Sequence, residues 1–228
     1  MAKPRTSKIK KINNRDRLAF EAIAKGGTIS KEDLHSIISK TRANHWEHDR
    51  YFKQVSYNDN NNNRYEGYSL THEGKKYAEK QFGITSCTKA KSSSVIHDLK
   101  IGEKVMSVDE DKRGLTRTED ELWDKLYEEM RHRKERIEEL EEKRLDQSLS
   151  LQEREQYAKE WLETDKEYSR IEEMLKNGEL SAPDISYINE QGVEVCYEVL
   201  TTNYGQEEIN AKIEFARAIG MEIEFEQV

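Results

Sequence analysis

Two stretches of the chain, 119–147 and 151–177, repeat apolar residues in alternating steps of three and four, and only 148-SLS-150 separates them. In the first, Trp123, Leu126, Met130, Ile137 and Leu140 mark the stripe, with Arg133 filling one slot. In the second, Tyr157, Trp161, Tyr168, Ile171 and Leu175 do the same, with Thr164 in one slot. Such stripes are heptad seams and predict two long α-helices. A break this short makes the second helix return along the first, as an antiparallel hairpin. At 1.5 Å per residue, a helix of about 28 residues is roughly 40 Å long. The stripe is thin and both flanks are charged, so the charge runs read as solvated faces. The alternative is an arm for docking another protein or for forming a homodimer.

The rest of the chain must supply the cores. Of its 228 residues, 34% are hydrophobic and 37% charged, too few apolar groups for one compact core of this size. Small cores plus a long solvated element fit better. No run of 18 apolar residues exists, so no membrane span is expected. The N-terminus, MAKPRTSKIKKINNRDR, is basic but has no apolar segment behind it and does not read as a secretory signal. Cys87 and Cys196 lie far apart with no metal-like spacing, which suits free thiols in a cytoplasmic protein.

The net charge of −8 hides an asymmetry. Residues 1–92 hold 19 Lys and Arg against 10 Asp and Glu, and residues 93–228 hold 19 against 36. A basic front and an acidic back place a nucleic-acid contact at the front. There, 15-RDRLAFEAIAK-25 predicts a helix stopped by Gly26-Gly27, and Ser30 caps a second helix over 31–38. A third helix is expected over 42–52, then strands at 53–57 and 65–70 around an Asn-rich tip, 58–64, and a last helix over 72–82.

That order is the order of a winged helix-turn-helix. The string 68-YSLTHEGKKYAEK-80 resembles the Y-x-L-T-x-x-G-x-x-x-A ending of many bacterial winged-helix domains. The resemblance implies double-stranded DNA as partner, with Lys40, Arg42, Asn44, His45, His48 and Arg50 turned toward a major groove. Arg and Asn can make paired hydrogen bonds to base edges. Arg64, at the tip, would reach a phosphate or a minor groove, whereas Glu47 and Asp49 would repel phosphate. The protein-binding winged helix is the alternative.

Residues 85–94, TSCTKAKSSS, read as a linker, and 95–108 as a helix weakened by Gly102. After Gly178 the pattern turns to strands: 185–188, a turn at 189-NEQG-192, then 193-VEVCYEVL-200. A helix over 206–220 follows, with Ile209, Ile213, Phe215 and Ala216 on its apolar face, and then a final strand, 221–227.

Strand, strand, helix, strand, with Pro183-Asp184 opening one strand and Glu198 late in the next, resembles the PD-(D/E)xK nuclease fold. That resemblance implies Asp184 and Glu198 as ligands of Mg²⁺ or Mn²⁺, whose charge and bound water would serve phosphodiester cleavage. The lysine usual two residues after the second acid is Leu200 here. Lys212, on the following helix, is its substitute, or the site is inactive. The whole order of parts, with His97 in a helix, 117-RTEDEL-122, "PD" and "YEV", resembles the replication-relaxation family of plasmid and conjugative-element proteins, related to MobC-type relaxases. His97, Glu119, Asp184 and Glu198 are the matching polar positions.

The expected protein is therefore α+β. Residues 1–84 form a winged-helix domain, 85–94 a linker, and 95–228 a small restriction-endonuclease-like domain carrying the hairpin, about 119–177, as an insertion. It would bind a specific DNA sequence on a plasmid, phage or conjugative element, acting in replication, mobilisation or its regulation alongside other proteins of those processes, with the nuclease-like domain degenerate. The alternative is a Mg²⁺-dependent nickase or endonuclease built on Asp184 and Glu198.

Overall fold

A computed structural model describes residues 7–58, 64–89, 95–202 and 204–228. Among them the fold is mixed α+β, with eight α-helices and two small sheets. No helix among the described residues is long and apolar enough to cross a membrane. The described residues fall into two compact units, the first drawn from Met1–Asp120, Asp184–Tyr204 and Ile223–Val228, the second from Glu121–Pro183 and Gly205–Glu222.

The first unit begins with α1 (Asn14–Gly26), which starts where Asn13 and Asp16 cap each other's backbone N–H groups. It ends at Gly27, whose φ of +71° suits a residue without Cβ. There follow β1 (Thr28–Ser30), α2 (Lys31–Ile37), α3 (Lys40–His48), β2 (Phe52–Asn58), β3 (Arg64–Leu70) and α4 (His72–Phe82). The sheet runs β1-β3-β2, all antiparallel, and Ser30, Ser39 and Thr71 cap α2, α3 and α4. Helix α3 is earlier and shorter than the expected 42–52. Ser39 caps it, and Arg50, at φ +66°, breaks the helix before Tyr51. The expected tip falls mostly on 59–63, outside the described residues. Aromatic rings fill the core: Phe20 meets Trp46 edge-on at 5.0 Å and lies 4.8 Å from Phe52 and 5.3 Å from Phe82.

Helix α5 (Val95–Ser107) packs closely on the elements before it. A Cβ on Gly102 would lie 2.0 Å from the Thr28 carbonyl oxygen, and one on Gly26 2.8 Å from the Gly102 Cα. The glycine that weakens the helix in sequence is thus the point where α5 meets α1 and β1. From its other face Ile101, Val105 and Val108 enter a second core with Ile185, Tyr187, Val195, Tyr197 and Val199. One helix serves two cores, both within the first unit.

The second sheet runs β4 (Arg117–Thr118), β5 (Ile185–Ile188), β6 (Glu194–Leu200), β7 (Glu222–Gln227). Strands β5 and β6 form an antiparallel hairpin turning at Gly192, φ +77°.

The second unit holds most of α6 (Glu119–Leu145), with α7 (Leu151–Asn177) and α8 (Gln206–Ala218). Antiparallel packing of α6 and α7 appears in their pairings. Arg136 bonds Glu160 at 2.6 Å, Lys143 lies over Tyr157 and Arg144 over Trp161. The seam differs from the expected one. Leu122, Leu126, Met130, Leu140 and Ile171 are buried, whereas Trp123, Ile137 and Trp161 are half-buried. Helix α8 also packs here: Phe215 meets Trp123 edge-on at 4.8 Å, and Arg133 donates to the Ala218 carbonyl at 2.8 Å. The α6 residues Trp123 and Arg133 thus meet α8, and Arg133 also lies 3.7 Å from Glu167 on α7. On α8 the buried positions are Lys212, Phe215, Ala216 and Ala218, with Ile209 and Ile213 only half-buried.

Candidate functional site

A carboxylate removed from water needs hydrogen-bond donors around it. Asp184 is 6% exposed and Glu198 fully buried, and the backbone supplies their donors. Glu198 Oε2 accepts the Asp184 N–H at 2.8 Å, and Asp184 Oδ2 accepts the Val199 N–H at 3.0 Å. Each acid thus binds the main chain beside the other and ties the entry of β5 to the end of β6. The Tyr204 hydroxyl donates to Glu198 Oε1 at 2.6 Å. His97 Nε2 stands 3.2 Å from Asp184 Oδ2, and its Nδ1 3.3 Å from Asp98 Oδ1. Next to them on β6, the Tyr197 phenol is pushed well up, first by burial and then by the Glu226 carboxylate that accepts its O–H.

The fold therefore brings together His97, Asp184 and Glu198, three of the five residues expected to act in catalysis. Glu119 opens α6, where its charge acts on Lys89. Lys212 is buried in the second unit and donates to the Ala182 carbonyl at 2.8 Å. Asp98 and Tyr204 belong to the cluster and were not expected. Adjacency to His97 is a sequence signal for the first, while nothing local marks Tyr204.

In the arrangement seen, the two acids expected to hold a metal are engaged by protein donors. A hard divalent cation takes carboxylate lone pairs, and here Glu198 gives lone pairs on both oxygens to protein donors and Asp184 gives those on Oδ2. Among the described residues no group of three His, Cys, Asp or Glu side chains is arranged to hold a metal ion.

At α3, Lys40, Asn44 and Arg50 are exposed, and His45 and His48 half-buried. Arg42 is not turned outward as expected. Its Nε and Nη2 bond the fully buried Asp16 carboxylate at 2.7 and 2.6 Å, and Nη2 also bonds the Lys11 carbonyl. Trp46 adds its indole N–H to Asp16 at 2.9 Å. Burial pushes the Asp16 carboxyl up, but these bonds and the Asn13 N–H outweigh it and hold it below its ordinary range. Arg64 pairs with Glu66 at 2.6 Å and remains 68% exposed, so it is still open to solvent. Asp49, expected to repel phosphate, instead accepts from Ser7, Lys8, Ile9 and His48 and anchors the N-terminal segment. Burial opposes its ionisation, and these donors still bring it down to about 2.

No family model, curated protein or solved structure matches this chain.

Proposed function

We propose that this is a DNA-binding protein whose first core is a winged helix-turn-helix and whose reading element is α3. The observation that carries the reading is α3 itself: Ser39 caps it, Ala43 and Trp46 hold its inner side in the core, and Lys40 and Asn44 stand on its outer side. A helix anchored in this way can present one face to a major groove without losing its own packing. The excess of 19 Lys and Arg over 10 Asp and Glu in residues 1–92 supplies the attraction to phosphate. The element order and the β1-β3-β2 sheet agree with that assignment. In this reading the second sheet is a nuclease-like frame whose acids hold strands together, and the protein serves replication or mobilisation of a plasmid, phage or conjugative element, as in the replication-relaxation family. The nickase reading has less support, because Asp184 and Glu198 are engaged with the backbone.

The test is duplex binding by the full chain, followed by fluorescence anisotropy. Affinity should fall linearly with salt on logarithmic axes, by about 0.9 per phosphate neutralised. Asn44→Ala should weaken a specific site by about 1–3 kcal/mol. Arg42→Gln, measured where the variant is still folded, should change affinity little. Absence of duplex binding at low salt would sink the proposal.

A further inference from the structure

A second cationic feature of the first unit involves no residue of α3. It is a cleft of about 360 Å³ lined by the lysines Lys53 on β2, Lys75 in the first turn of α4 and Lys89, with His72 beside them at the start of α4. None of its lining residues is acidic. Lys89 bonds Asp120 at 2.7 Å, but Lys53, His72 and Lys75 have no ion pair among the described residues. Gathering like charges around one small space costs Coulomb energy that an anion recovers. The capped N-terminus of α4, an eleven-residue helix, adds the positive end of its dipole.

The cleft is also pre-formed. Thr88 donates its N–H to the Ala24 carbonyl at 2.8 Å and its hydroxyl to the Lys25 carbonyl. Gly27 lets this wall approach: a Cβ there would lie 3.3 Å from Thr88 Cγ2. Ile23, Ala24 and Leu70 give the cleft an apolar side. Its volume sits at the small end of the roughly 300–1,000 Å³ typical of small-molecule sites.

We infer that this cleft binds a phosphoryl group, held by Lys53, Lys75 and His72, with the apolar wall against whatever the phosphate is attached to. Two sources share that chemistry, a free mononucleotide-sized phosphate ester and a phosphodiester of DNA. Cys87, half-buried in the lining, reports on occupancy.

The experiment uses the full chain and follows alkylation of Cys87 by iodoacetamide with mass spectrometry, the buried Cys196 serving as internal control. The probes are AMP, inorganic phosphate, adenosine and a duplex oligonucleotide. Only the unliganded fraction reacts, so AMP at about four times its Kd should slow Cys87 about fivefold. Adenosine should not, and Lys53→Gln with Lys75→Gln should abolish the protection. Melting temperature in phosphate against chloride at equal ionic strength gives a second readout, expected to rise in the wild type alone. If the duplex protects through the same lysines and AMP does not, the phosphate source is DNA. The AMP arm contains no duplex, so its result stands whether or not α3 reads DNA. The inference is overturned if AMP, phosphate and duplex all leave Cys87 and the melting temperature unchanged, or if protection survives in the double variant.

Discussion

The first unit buries carboxylates in two places and satisfies them in opposite ways. Asp16 is held by side chains from another helix, the Arg42 guanidinium and the Trp46 indole, besides its own cap. Asp184 and Glu198 are held largely by main-chain N–H groups of each other's strand ends, with His97 and Tyr204 at the margin. An acid paired with a distant guanidinium pins two helices whose relative position the backbone alone leaves open. Acids that bind amides extend a strand pairing already present. Deleting the first should therefore cost more than altering the second.

The largest effect is expected at Asp16. Asp16→Ala leaves Arg42 and Trp46 without their acceptor and should cost about 3 kcal/mol in denaturant unfolding, at the low end for a broken buried pair because the Arg42 side chain is 22% exposed. The pH dependence has a definite sign. Asp16 and Asp49 both have lowered pKa values, so their stabilisation is full above the ordinary carboxylate range and is lost as pH falls through the folded values. For Asp49 that window runs from about 4 down to about 2. Acid unfolding in Asp16→Ala should be shallower than in the wild type. A loss below about 1 kcal/mol would erase the contrast between the two acid sites.

A smaller effect is expected at Glu198. Glu198→Gln keeps one carbonyl oxygen for the Asp184 N–H but turns the other acceptor into a donor, so the Tyr204 hydroxyl must accept instead of donate and the charge-assisted bonds are lost. The cost should be about 2 kcal/mol, and about 1 kcal/mol for Tyr204→Phe, both by denaturant unfolding. A variant more stable than the wild type would reverse the reading: the acids would then be held against their own repulsion, as at sites kept for chemistry.

Much of the first core was legible because its signals are local. Ser30 three residues before Asp33, the Gly26-Gly27 stop, and the run from Tyr68 to Ala78 are read within one or two turns, and the helices and strands they mark are present. The role of Arg42 was not legible. An arginine on a short polar helix looks the same whether it faces DNA or a buried acid 26 residues earlier in the chain. Gly102 misled for a similar reason, since its cost to the helix is local and the contact that requires it, the Thr28 carbonyl, is not. The hairpin seam was blurred because periodicity reports that a face is buried, not how many helices bury it, and α8 was the unread partner. At the acid pair, the sequence correctly brought Asp184 and Glu198 to adjacent strand ends, but their hydrogen bonds run to backbone groups that carry no residue signature.

The smallest effect, and the sharpest division between the two readings of the second sheet, is that of a divalent metal. A site with an intrinsic Kd near 0.1 mM, counted before any donor is displaced, would gain about 2.7 kcal/mol from a hundredfold excess of Mg²⁺ or Mn²⁺. A metal that took the lone pairs now given to the Val199 N–H, the Asp184 N–H or the Tyr204 hydroxyl would displace a buried or half-buried donor, a loss of about 1–3 kcal/mol each. The two terms nearly cancel, so millimolar metal should leave the melting temperature of the wild type within about 1 °C of the metal-free protein, and Asp184→Asn should respond no differently. Supercoiled plasmid should stay closed under the same conditions. A metal-dependent rise that Asp184→Asn removes, accompanied by nicking, would mean that the amide bonds are the resting arrangement of a site that opens for its ion. The contrast with Asp16 would then be between an acid that holds the fold and a pair that the fold holds in reserve.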